Sequence, residues 1–205
     1  ATRGGSRLYA AGFHTGNRTT SLAETQAPDG FGFDGALGPA TNHAGAPAPE
    51  IGLIVKFDGA EWRDGLGRVW SSFVRFDLPD RDVFAIDAMA EPPRLFDGEA
   101  GSWSGAGTVL YNLAVNPVSG FVYASNTDAQ NHLRFEGPGS FAGDAIGGRL
   151  HLNRISVLSD AGATARHLNP HIDYSDCCAP LPNAESERSL ALPTEMDVTS
   201  DGRTL

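Results

Sequence analysis

This chain of 205 residues has one lysine, Lys56, against fourteen arginines, and its formal net charge is −10. So acidic a chain lacks the electrostatic footprint for nucleic acid or an anionic membrane surface. It has no apolar run of the length a transmembrane helix needs. No window sustains a 3.6-residue apolar period, which leaves an all-β reading. Recognisable catalytic and cofactor motifs are missing too. There is no Gly-x-Ser-x-Gly elbow, no Walker loop, no His-Glu-x-x-His and no Cys-x-x-Cys-His haem attachment. The Gly-rich stretch 137–148 is not framed by a strand and a helix, as a dinucleotide site would be. No secretory leader is visible, and a start at Ala1 fits one already removed or an arbitrary boundary equally.

What is present is 25 glycines, 13 prolines and short β-branched and aromatic runs. The richest stretch is 109–159. Leu110, Leu113 and Val115, then Val122 and Tyr123, flank Asn116-Pro117-Val118-Ser119-Gly120, a cluster that predicts a hairpin. A third strand follows at 155–159. Pieces of this stretch recur. Gly5-Ser6-Arg7-Leu8-Tyr9-Ala10 matches Gly120-Phe121-Val122-Tyr123-Ala124, and Gly202-Arg203-Thr204-Leu205 matches Gly5 to Leu8 in spacing. Val83-Phe84-Ala85-Ile86-Asp87 parallels 155–159. Short repeated strands with turn signals mark a radial array. The remaining expectations are strands at 6–16, 51–57, 69–76 and 165–168, a break at Pro92-Pro93, and a long loop over 17–50.

The pattern of an apolar strand, a turn, Gly-x-x-[Leu/Val]-Tyr-Ala and a later Val-x-[Val/Ile]-[Ile/Leu]-[Asp/Ser] resembles the YVTN-type β-propeller repeat of bacterial exported and cell-surface proteins. The resemblance implies a partial propeller of about two to three four-stranded antiparallel blades with long insertions on one face. Residues 1–98 would form a first partial blade, 107–172 a central blade, and 193–205 the start of the next. Leu205 would stand where a strand continues, so the chain is expected to be a piece of a larger exported protein. The stretches 78–84 and 134–139 are similar to propeller proteins that also carry a c-type haem peroxidase-like region. Any haem function would lie outside this chain.

In such a blade the a–b and c–d turns lie at one end. The b–c connection and the d-to-a crossover lie at the other. The turns at 116–120 and 199–202 are then a–b turns, and the excursions 17–50, 127–147 and 169–192 share the opposite end. Loops on a rigid scaffold carry function, so His14, Asn17, Asn126, Asp128, His132 and Asp176 are the candidate binding residues there. His167, His171 and Asp173 have even spacing in an extended segment and form the best candidate set for a transition metal. Hydrogen bonding to loop carbonyls is the alternative for these side chains. Asp173, Asp176, Glu185 and Glu187 with Asp128, Asn126 and Asn131 offer oxygen ligands for Ca²⁺, without EF-hand spacing. His43 and His151 are scattered. Adjacent Cys177 and Cys178 can close a strained vicinal disulfide in an oxidising compartment; two free thiols, or bridges elsewhere, remain open. Trp62, Trp70 and Trp103, with Phe73 and Phe76, either plug the space between blades or form a recognition surface.

Two function classes follow. The first is a binding or scaffold segment whose loop-bearing face meets a partner, with the open sheet edges completed by further blades or another chain. The second is part of a redox enzyme, in which the propeller supports a haem region or a loop-face metal.

Overall fold

The computed structural model describes residues 1–23, 53–65, 67–75, 80–132, 150–173 and 182–205. Among these residues the chain is predominantly β, arranged as three antiparallel sheets. In chain order the strands are β1 (Arg7–Ala11), β2 (Thr19–Leu22), β3 (Leu53–Phe57), β4 (Trp62–Arg63), β5 (Val83–Asp87), β6 (Arg94–Leu95), β7 (Ser102–Trp103), β8 (Val109–Val115), β9 (Val122–Ala129), β10 (His151–Ser159) and β11 (Gly162–His167). One short helix, α1 (Ala184–Arg188), follows; the Asn183 side chain accepts its Ser186 amide at 2.8 Å.

The most regular sheet is the meander β8–β9–β10–β11. Its first hairpin turns where the sequence predicts. The Asn116 side chain accepts the amides of Val118 and Ser119 at 2.9 and 3.0 Å, fixing an Asx-type turn. Gly120 adopts a φ of 77°, which a side chain would resist. A second sheet pairs β1 with β5, whose other edge holds β6 and β7 end to end. The third is the small sheet β2–β3–β4.

The first two sheets share one register. Tyr9 lies opposite Ala85 in β1–β5, and Tyr123 lies opposite Val157 in β9–β10. The turns preceding β1 and β9 also correspond. Thr2 N–H donates to Arg7 O at 2.9 Å, and Asn116 N–H to Phe121 O at 2.8 Å. A third such turn lies near the C-terminus, where Thr199 N–H donates to Thr204 O at 3.0 Å and Gly202 N–H to Thr199 O at 2.8 Å. Gly5 and Gly202 have φ of 68° and 69°. The three turns thus share one hydrogen bond, from an amide to the carbonyl five residues further on.

The main core lies between these two sheets. Val83, Ala85 and Trp103 pack with Leu110, Val122, Ala124 and Leu158. The Trp103 indole N–H crosses to Ser159 O at 2.8 Å. A smaller core of Leu22, Val55 and Trp70 holds the third sheet. Trp70 and Trp103 thus fill interiors and form no recognition surface, while Trp62 is half-buried against the smaller core.

Three expectations need correction. The apolar run 69–76 is not a strand over its described part: Val69 makes an isolated bridge to Arg63, then Ser71–Phe73 forms a 3-10 turn. Trp70 N–H bonds Trp62 O, and the Ser71 hydroxyl binds the Trp62 amide and Glu61, which pulls the backbone out of the ladder. The region 17–50 is not all loop, because β2 buries Leu22 in the smaller core; residues 24–50 lie outside the described set. Finally, β9 runs on to Ala129, so Asn126 and Asp128 sit on a buried strand and not on an excursion.

Candidate functional site

Five separated segments converge at the end of the main sheets opposite the three turns. They are the chain after β1, the approach to β5, the segment 104–108, the C-terminal half of β9 and the N-terminal half of β10. At their centre is Arg154, with its side chain 12% exposed. It lies 3.1 Å from the Asp128 carboxylate and donates to Asn126 Oδ1 at 3.2 Å and Ala106 O at 3.1 Å. Burial lowers the guanidinium's proton affinity, and Asp128 and Asp82 raise it again. Lys56 of β3 reaches the same Asp128 oxygen at 3.3 Å, and Gln130 donates to it at 2.8 Å. The Ser156 hydroxyl donates to Ala106 O at 2.6 Å and accepts from Asn126 at 3.0 Å. This network ties the third sheet to β9 and β10.

The matching acidic half precedes β5. Asp82 is fully buried and accepts the Ala106 amide at 2.6 Å. Asp80 Oδ2 accepts Arg18 Nε at 3.2 Å and the Gly105 amide at 3.0 Å. Burial first, and then the adjacent Asp80, push the Asp82 carboxyl up to about 7. In the shared register Asp82 and Arg154 are equivalent positions, each one residue before the aligned apolar run, and Asp82, where ionised, favours the charged guanidinium.

Of the residues singled out by sequence, Asn126 and Asp128 belong to this network. Asn17 sits beside it, donating to Ala129 O at 2.8 Å and Asn131 Oδ1 at 2.6 Å, while the Thr19 hydroxyl donates to Asn17 Oδ1 at 2.6 Å. His14 is exposed and stacks on Phe13 at 4.8 Å, and His132 is half-buried at the end of β9. Asp128 is engaged by two cationic side chains and Asn126 by Arg154 and Ser156, so neither stands as a free Ca²⁺ ligand. His171 Nε2 is 3.1 Å from Glu185 O and 3.4 Å from the Ser189 hydroxyl, contacts that brace α1. Among the described residues, no three His, Cys, Asp or Glu side chains are grouped to hold a metal ion, His167, His171 and Asp173 included. Asp176, Cys177 and Cys178 lie outside the described residues.

Sequence reasoning missed Asp80, Asp82, Arg154, Lys56 and Ser156. The available signals were an Asp-x-Asp pair directly before an apolar strand, and an arginine set one residue before another. Among the described residues no helix is long and apolar enough to cross a membrane. No protein-family model, no curated protein and no solved structure matches the sequence.

Proposed function

We propose that this chain is a segment of a β-propeller that serves as a binding scaffold, with the end opposite the turns as its interaction surface. The propeller part of this reading is supported by the common register of β1–β5 and β9–β10 and by the three turns at 2–7, 116–121 and 199–204. The single observation that carries the binding part is the placement of the insertions. The third sheet, residues 130–132 just past β9 and the segment with α1 all lie at one end. Asn153 Oδ1 accepts from Leu192 at 3.0 Å and Asn169 Oδ1 from Leu190 at 2.8 Å there. Below them the buried ions fix that end rigidly, the arrangement expected of a scaffold that presents loops.

Two measurements test the two parts. The intact mass of the protein from its source is expected well above 21.6 kDa, with further blades in the same chain or in a tightly bound partner. A native mass equal to this chain alone refutes the propeller part. Carboxylate-directed cross-linking in the native source is expected to join partners through Asp173, Glu185 and Glu187. Cross-links concentrated on Asp160 and Asp201 at the turn end, or no intermolecular products, refute the interaction surface.

A further inference from the structure

Asp80 and Asp82 lie two residues apart on the extended approach to β5. Their Oδ2 atoms are taken by donors from Arg18, Gly105 and Ala106. Among the described residues their Oδ1 atoms are both buried and meet no N–H or O–H donor. Their Oδ2 atoms sit on the adjacent amides of Gly105 and Ala106, which sets the two carboxyl groups side by side. Two ionised carboxylates held so in a buried site repel each other with little screening. A proton on the fully buried Asp82 relieves that repulsion.

We infer that Asp80 and Asp82 form a buried proton-binding site that latches the chain after β1 onto the segment 104–108 and loosens it when the proton leaves. The charges around the pair set its range. Arg18, beside Asp80, and Arg154, in the field of Asp82, favour loss of the proton. The Ala106 amide does the same. Asp128 and Lys56 stand beyond Arg154 and offset each other at 3.3 Å. His14, on the chain after β1, is exposed and stacked on Phe13. Burial and the facing carboxyl outweigh the favourable contacts, and Asp82 is held at about 7.

Deprotonation places two like charges in contact. Asp80, whose side chain keeps 8% exposure while Asp82 has none, is the member able to leave. Its departure breaks the Arg18 and Gly105 contacts. Arg18 O also accepts the Phe57 amide at 2.8 Å, so release reaches the third sheet. The site takes only a proton, and it does not depend on the propeller reading.

Two readouts on the intact chain test it. The side-chain carboxyl ¹³C shift of Asp82 is expected to titrate near neutrality. Protection of the Gly105, Ala106 and Phe57 amides, corrected for intrinsic exchange, is expected to fall at least about tenfold between about pH 6 and pH 8.5. Asp82→Asn should keep that protection at both pH values, because its carboxamide can donate to Asp80. If that variant does not fold, Asp80→Asn makes the same test from the other side. Three results overturn the inference: Asp82 titrating in the ordinary carboxylate range; an equal loss of protection in the Asn variants, which would assign the effect to histidines; or restoration of protection at high pH by Ca²⁺, which would make the pair a metal site.

Discussion

Replacing Arg154 with methionine removes the centre of the ion network while keeping the aliphatic length of the side chain. Three interactions disappear: the 3.1 Å pair with Asp128 and the bonds to Asn126 Oδ1 and Ala106 O. Their loss is not uniform. The Ala106 carbonyl keeps the Ser156 hydroxyl at 2.6 Å, and Asp128 keeps Lys56 at 3.3 Å. Asn126 Oδ1 loses the donor described here, inside a fully buried side chain. Breaking a buried pair by removing one partner costs about 3–5 kcal/mol, and the remaining lysine places Arg154→Met near the lower bound, about 3 kcal/mol. For a chain of this size that corresponds to roughly 6–12 °C in melting temperature. The assay is urea unfolding, with the midpoint falling and the slope unchanged. Adding Asp128→Asn should recover part of the loss, giving a coupling of about 1.5 kcal/mol or more. A single-mutant cost below about 1 kcal/mol, or strict additivity in the double mutant, would refute a network in which Arg154 is the keystone charge.

Other outcomes follow from the same geometry. Because Asp82 is raised from 3.8 to about 7, its contribution to native stability is complete at low pH and is lost as pH rises through that window; Asp82→Asn should flatten the melting-temperature profile there. A Cβ at Gly107 would stand 2.5 Å from Asn126 Oδ1, so Gly107→Ala is expected to cost about 1–3 kcal/mol in thermal unfolding. Trp103→Phe leaves Ser159 O without its 2.8 Å donor and thins the main core, with an expected loss of about 1–3 kcal/mol in the same assay. Asn116 donates to Gly202 O at 2.9 Å, whereas Thr2, the residue equivalent to Asn116, lines an open cleft of about 470 Å³ together with Gly120. Thr2→Asn should span that gap and stabilise the chain by about 0.5–1 kcal/mol, read by urea unfolding.

The strands and their turns were legible because the signals are local. The cluster around Asn116 and Gly120 encodes its turn in neighbouring residues, and Tyr9 and Tyr123 mark the same register through the same residue type. β2 was hidden because Thr19, Thr20 and Ser21 show no apolar alternation, and only Leu22 reaches a core. The 69–76 run looked like a strand because composition does not reveal that Ser71 diverts the backbone. The ion network was illegible for a different reason. Its members come from segments that have no common spacing, and polar residues on β9 look like loop residues until the third sheet covers them. Asn126 and Asp128 read as loop-face positions for that reason, whereas both lie on the buried part of β9.

The pairing of β1 with β5 also sets an order of assembly. β8 to β11 are neighbours in sequence for their hairpins, with the 116–121 turn and the Asp160-Ala161 turn closing short loops. β1 must instead find β5 across roughly 70 residues that include the third sheet, a closure costing roughly 2 kcal/mol more than a tight hairpin before any contact is made. The meander is then the nucleus, and the Val83–Trp103 half of the core docks onto it late. Arg154 is already on the meander at that stage, paired with Asp128. The checkpoint on docking is Asp82: only the native register brings it to the Ala106 amide, and a slipped sheet would bury that carboxyl without its donor.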